Sequence, residues 1–193
     1  MKYNIYDTKA LVLKSVPNGE EGLSVLLMTR EFGCLYARAQ GARKSFSRLR
    51  SGLVDSTLVS VGLLSGKGGW RITYLFPHTN FFFSLRGCPA GQSAVAKMMA
   101  VCGRLVGESE GNQKVFDIVS EGFSKMSLEG SDIHDVERSV MLGVLHTQGY
   151  IEYSTYSLFV SDEDLLKDGN KNELSLLRRR VTREINRALE VAW

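Results

Sequence analysis

Apolar positions in the first 80 residues come in short runs broken by turn formers. "KALVLKSV" stops at "PNGEEG", whose Pro17, Asn18 and Gly19 favour a chain reversal. "LSVLLMTREFG" and "CLYARAQG" follow, the second placing Leu35, Ala37 and Ala39 on one face and Tyr36, Arg38 and Gln40 on the other. After a polar stretch come "LVDSTLVSVGLL", the hairpin-like "SGKGG" and "WRITYLF", in which Trp70, Ile72 and Tyr74 alternate with Arg71, Thr73 and Leu75. Five short strands with Gly-rich turns predict a small antiparallel barrel, and the OB type is the natural candidate.

Past "PHTNFFFSLRGCPAG" the period lengthens. Val95, Met98, Met99, Cys102, Leu105 and Val106 recur at helical spacing, as do Val115, Ile118, Val119, Phe123 and Met126. In a third helix, Ser131 and Asp132 are candidate caps, Ile133, Val136, Val140, Met141, Val144 and Leu145 form the stripe, and Gly149 is the stop. A last helix, from about Glu173 to Ala192, aligns Leu174, Leu177, Val181, Ile185, Ala188 and Leu189. Between the two, "EYSTYSLFVSDEDLLKDGNKN" reads as a short apolar piece and then a polar, acidic loop. The expected fold class is therefore α+β: a five-stranded OB-fold barrel at residues 1–80 followed by an α-helical domain at 81–193.

Charge changes this picture. The 193 residues carry 24 Lys and Arg against 21 Asp and Glu, a net charge of only +3. Yet residues 1–80 hold 11 of those cations and 5 of the acids, which leaves 13 and 16 for the remainder. The first part is thus strongly basic, and it concentrates the excess in "TREFGCLYARAQGARKSFSRLR", residues 29–50, with six cations and one carboxylate, Glu31. Such asymmetry points to a polyanionic partner, with an ordinary solvated face as the alternative.

Other chemistry is thin. Cys34, Cys88 and Cys102 share no metal-ligand spacing and read as reduced thiols, and His78, His134 and His146 are too scattered for a ligand set. No HExxH, P-loop, GxGxxG or nucleophile elbow is present, "SGKGGW" lacks the Walker spacing, and "SDEDLL" lacks the EF-hand glycine. No signal peptide or membrane-length apolar run is visible, so a cytoplasmic protein without enzymatic activity is expected. Binding chemistry is better supplied. Arg38, Arg43, Lys44, Arg48, Arg50 and Arg71 are candidates to neutralise phosphates, with Ser45 and Ser47 donating to phosphate oxygens. Tyr36 and Phe46 are candidates to stack on bases. For Phe46 the preferred reading is instead a plug closing the barrel.

The order of elements in this stretch resembles the N-terminal signature of the bacterial DNA repair and recombination mediator family RecO. The resemblance rests on the strand Ala10 to Leu13, the turn Pro17 to Glu20, the segment Leu27 to Gly33, and Gln40 to Lys44 followed by Ser47 and Arg48. It continues more weakly through "GWRITYLF", "VFDIVSEGF" and "VERSVMLGVLHTQGYI". It implies an OB barrel with a helical domain, binding of single- and double-stranded DNA, and annealing of complementary strands. It also implies assistance, with RecR, to RecA loading on DNA coated by single-strand binding protein. Arg43, Lys44 and Arg48 match the family's basic motif, while the four-cysteine zinc module of many members has no counterpart in "IEYSTYSLFVSDED", so zinc is not expected. Docking of the single-strand binding protein tail would need a basic side chain beside an apolar slot. Arg178, Arg179, Arg180, Arg183 and Arg187 are the candidates, with plain helix-surface charge as the alternative. The competing functional class is an OB-fold RNA-binding protein or a protein-interaction adaptor.

Overall fold

The computed structural model describes residues 4–107, 113–154, 156–157 and 171–192. Strands β1 (Ile5–Asn18), β2 (Gly22–Thr29), β3 (Gly33–Ala39), β4 (Thr57–Gly66) and β5 (Gly69–Asn80) close into a barrel in the order β1-β2-β3-β5-β4. Every pairing is antiparallel except β3 with β5, where Ala37 pairs with Trp70 and Arg38 with Arg71. That short parallel ladder is the seam that completes the cylinder and removes the sheet's free edges.

Each strand's apolar pattern follows from what covers its two faces. On β1, Ala10 and Val12 enter the barrel interior with Val25, Leu27, Leu35, Val59, Val61 and Leu63. Leu11 and Leu13 point the other way, into a second core with Met28, Cys34, Val95, Met98 and Cys102. The unbroken run "ALVL" is therefore a strand buried on both sides, and each buried leucine contributes roughly 1.5–3 kcal/mol. Further along, β3 returns to alternation, with Leu35, Ala37 and Ala39 buried and Tyr36 and Arg38 exposed. The alternation expected for β5 fails. Gly62 pairs with Tyr74 but Leu63 with Ile72, so Thr73 is an extra residue on β5. This bulge turns Tyr74 outward and Leu75 inward, the reverse of the strict alternation that puts Tyr74 on the side of Ile72.

The helices that follow include α1 (Phe81–Ser84), α2 (Pro89–Leu105), α3 (Gln113–Met126), α4 (Ile133–Thr147) and α5 (Lys171–Ala192). The single turn of α1 lies in a stretch whose sequence shows no period. It forms because Asn80 Oδ1 accepts from the Phe83 amide at 2.9 Å and Phe81 is buried against Phe123. Asp132 caps α4, its Oδ1 accepting from the amides of His134 and Asp135 at 3.0 and 3.1 Å. The α4 stripe runs through Val140, Met141, Val144 and Leu145, and Gly149 follows with φ 81°, the left-handed conformation that suits a helix stop. On α5, Val181, Ile185 and Ala188 are buried, while the side chain of Leu174 and most of the segment 152–172 lie outside the described residues.

Two charged clamps join the parts. Arg30, in the β2–β3 turn, donates from Nε and Nη2 to the two oxygens of Asp117 on α3 at 2.9 and 3.1 Å. Arg178 on α5 reaches both Asp132, at 3.1 Å, and Asp135 at the start of α4. Arg178 is thus a structural tie between helices.

Candidate nucleic-acid interface

The β3–β5 seam places two of the expected cations side by side. Arg38 points outward because its neighbours Ala37 and Ala39 fill the interior, and Arg71 lies opposite it on the parallel strand. Arg38 donates to the carbonyl of Gly68 in the β4–β5 hairpin. A Cβ at Gly68 would sit 2.6 Å from that guanidinium, so the glycine permits the contact. Both arginines line a cleft of ≈ 770 Å³ whose rim includes Gln40 and Gly41 at the start of the basic loop and Glu20 and Glu21 of the β1–β2 turn. Like charges directly opposed on neighbouring strands are destabilising, so an anionic ligand that relieves the repulsion binds with an advantage.

The basic loop, residues 40–56, is a chain of short turns, with the Lys44, Ser47 and Arg50 amides donating to the carbonyls of Gly41, Lys44 and Ser47. Gly41, with φ 66°, starts it in a conformation closed to most side chains. Its cations fall into two groups. Arg43 donates from Nη1 to the carbonyls of Gly19 and Glu20 at 3.3 and 3.1 Å, and Lys44 Nζ lies 2.8 Å from Glu21. These two brace the loop against the β1–β2 turn. Arg48 and Arg50 are exposed and make no ion pair among the described residues. Ser47 is half-buried, and its hydroxyl oxygen accepts from the Leu49 amide at 3.3 Å.

Phe46 is 84% exposed and plugs nothing, contrary to the preferred sequence reading. The plug exists, but it is made by Ala42 and Leu53 with Leu49, which pack on the barrel interior. Phe46 is left as an aromatic face at the tip of a cationic loop.

Tyr36 belongs elsewhere. It is 64% exposed and borders a groove of ≈ 740 Å³ between barrel and helices, with Leu13, Leu26, Phe83 and Met99, and with Lys14 and Arg104 at its edge. Phe83 is 61% exposed, and the sequence reading missed it. The available signal was the "FFF" run, three consecutive aromatics on one helical turn, only one of which can face the core.

Two titrating features mark the barrel–helix contact. Asp117 is held below the ordinary carboxylate range, first by its hydrogen bond from Arg30, against a smaller opposing effect of burial. Burial pushes the Cys34 thiol up to about 12 and raises that of Cys102 as well, so neither is a thiolate at neutral pH. All three cysteines are free. Among the described residues no group of three or more His, Cys, Asp or Glu is placed to hold a metal ion, and no helix is long and apolar enough to cross a membrane.

With this geometry in place, the comparisons with known proteins are specific. Residues 1–72, from the N-terminus into β5, match the family model described as "Recombination protein O N terminal". A DNA repair protein RecO of Heliobacterium modesticaldum is 33% identical over 129 residues, 67% of this chain and 46% of the relative. The RecO protein of Myxococcus xanthus is 44% identical over 63 residues, 33% of this chain and 26% of the relative, and that of Alkaliphilus metalliredigens 22% over 142 residues, 74% and 57%. The chain thus spans from about a quarter to little more than half the length of the curated relatives it matches. A closed five-stranded barrel with helices packed on its outer face, together with these matches, supports a RecO-like protein, its residues 1–72 being similar to the recombination protein O N-terminal domain.

Proposed function

We propose that the chain is a DNA repair and recombination mediator that binds single- and double-stranded DNA through its barrel and anneals complementary strands. The observation that carries the proposal is the juxtaposition of Arg38 and Arg71 across the seam, with the basic loop starting at the rim of their cleft. Backbone phosphates would replace counterions at these guanidiniums, a recognition independent of base sequence. Two strands held on one cationic surface repel each other less, which lowers the barrier to pairing without ATP or a catalytic group. Phe46 at the loop tip offers a face for a base, a contact worth about 1–3 kcal/mol when made.

The partner part of the proposal is cooperation with RecR in loading RecA onto DNA coated by single-strand binding protein. The groove between Tyr36 and Phe83, lined by Leu13, Leu26 and Met99 with the cations Lys14 and Arg104 and one carboxylate, Asp55, is the site the proposal assigns to an acidic, apolar tail. This moves the expected tail site away from the α5 arginines. No zinc is required anywhere in this scheme.

A strand-annealing assay on complementary oligonucleotides, bare and coated with single-strand binding protein, tests the proposal. Acceleration without ATP that declines steeply with salt supports it. Annealing at the spontaneous rate, or a preference for RNA over DNA of the same sequence, rejects it in favour of an RNA-binding or adaptor role.

A further inference from the structure

The strands pack on α1, α2 and α3, whereas α5 packs on α4, so the cations of α5 belong to a different layer from those of the barrel. Arg179, Arg183 and Arg187 are all exposed and lie four residues apart, on one face of α5 opposite the buried Val181, Ile185 and Ala188. No carboxylate of the described residues forms an ion pair with any of the three; Asp132 and Asp135 are engaged by Arg178. With Thr182 and Asn186 they line a cleft of ≈ 580 Å³ that contains no apolar side chain and one carboxylate, Glu190, at its end.

We propose that the row Arg179, Arg183, Arg187 is a second nucleic-acid site, a clamp on the phosphates of one strand that is separate from the barrel. The row is about 12 Å long at 1.5 Å per residue, the axial length of three to four phosphates on a strand. Guanidinium forks engage phosphate oxygens in pairs, and the hydroxyl of Thr182 and the amide of Asn186 supply further donors between them. An acidic peptide is the other polyanion in view, but peptides that dock specifically bring apolar anchors, and this cleft offers no slot for one. One chain with cationic sites on two layers holds two strands at once, a geometry that does not depend on which barrel residues touch DNA.

The test uses the full chain and a labelled poly-dT oligonucleotide, with R179Q/R183Q/R187Q, R38Q/R71Q and wild type compared over a salt series. Glutamine keeps helix propensity, and unchanged thermal melting confirms the fold. The proposal expects the α5 triple variant to lose about 2 units from the log–log salt slope, at ~0.7 per phosphate contact on a single strand. It also expects loss of the ability of the poly-dT complex to capture a second poly-dT strand. This holds whether or not R38Q/R71Q changes the slope, so failure of the barrel site is distinguishable. An α5 variant with wild-type slope and capture overturns the proposal, as does binding of poly-glutamate, in an Arg179-dependent way, without binding of poly-dT.

Discussion

Arg38 and Arg71 face each other across the parallel seam that closes the barrel. Placing two guanidiniums at that position works against folding, and the nearby carbonyl of Gly68 satisfies only Arg38. Under the proposed function, the pair is a binding site held at a small cost in stability. R71S is therefore expected to weaken binding to a single-stranded oligonucleotide while leaving stability unchanged or raising it by up to about 1 kcal/mol, read by urea unfolding. A loss of stability with unchanged affinity would show the pair to be structural.

The basic loop should split in the same way. Arg48 and Arg50 have no ion-pair partner among the described residues, so R48A/R50A is expected to reduce DNA affinity and flatten its salt slope with unchanged melting. Arg43 and Lys44 brace the loop on the β1–β2 turn, so R43A/K44A should lower Tm as well as affinity. Parallel melting and anisotropy titrations on the two double variants separate the cases.

The Arg30–Asp117 clamp has a definite pH signature. Its carboxylate titrates lower in the folded chain than in the unfolded one, so the clamp's contribution is complete above the ordinary carboxylate value and is lost as pH falls through the depressed one. Stability of D117N, measured by denaturant unfolding, should deviate from wild type at pH 6 and converge on it toward pH 2. The difference will be modest because both side chains are two-fifths exposed.

Thiol reactivity reports on the same contact. Cys34 and Cys102 sit in the core shared by barrel and helices, and Cys34 Sγ lies 3.6 Å from the Cys102 carbonyl. Cys88 is only half-buried. In native protein at pH 8, a maleimide should label Cys88 within minutes and the other two only on the timescale of global opening, resolved by peptide mass spectrometry.

Helix α3 approaches α4 through Gly122, where a Cβ would lie 2.1 Å from Val140 Cγ2. G122V forces a branched side chain into that contact and should destabilise the chain by about 2–3 kcal/mol, measured by denaturant unfolding.

Much of the barrel was legible because alternation and turn chemistry are local. Leu35, Ala37 and Ala39 read as inward from residue types alone, and so did the cap at Asp132. What escaped were features decided by partners distant in sequence. The Thr73 bulge depends on where Gly62 pairs, and the fate of Phe46 depends on Ala42, Leu49 and Leu53 having already filled the barrel end. The candidate site shows the same division. Composition located the cations, but only the pairing of β3 with β5 brings Arg71 to Arg38, and only the β1–β2 turn assigns Arg43 and Lys44 a bracing contact. The exposed Phe83 and its groove with Tyr36 arise where helix meets barrel, a relationship absent from any local pattern.

The central claim is that the barrel's exposed cations hold a nucleic-acid backbone. Its most direct measurement is the salt dependence of poly-dT binding by wild type and by a variant with Arg38, Arg48, Arg50 and Arg71 all changed to Gln. A fall of about 3 units in the log–log slope, ~0.7 for each lost phosphate contact, is the predicted result. Identical slopes at matched stability would contradict the claim.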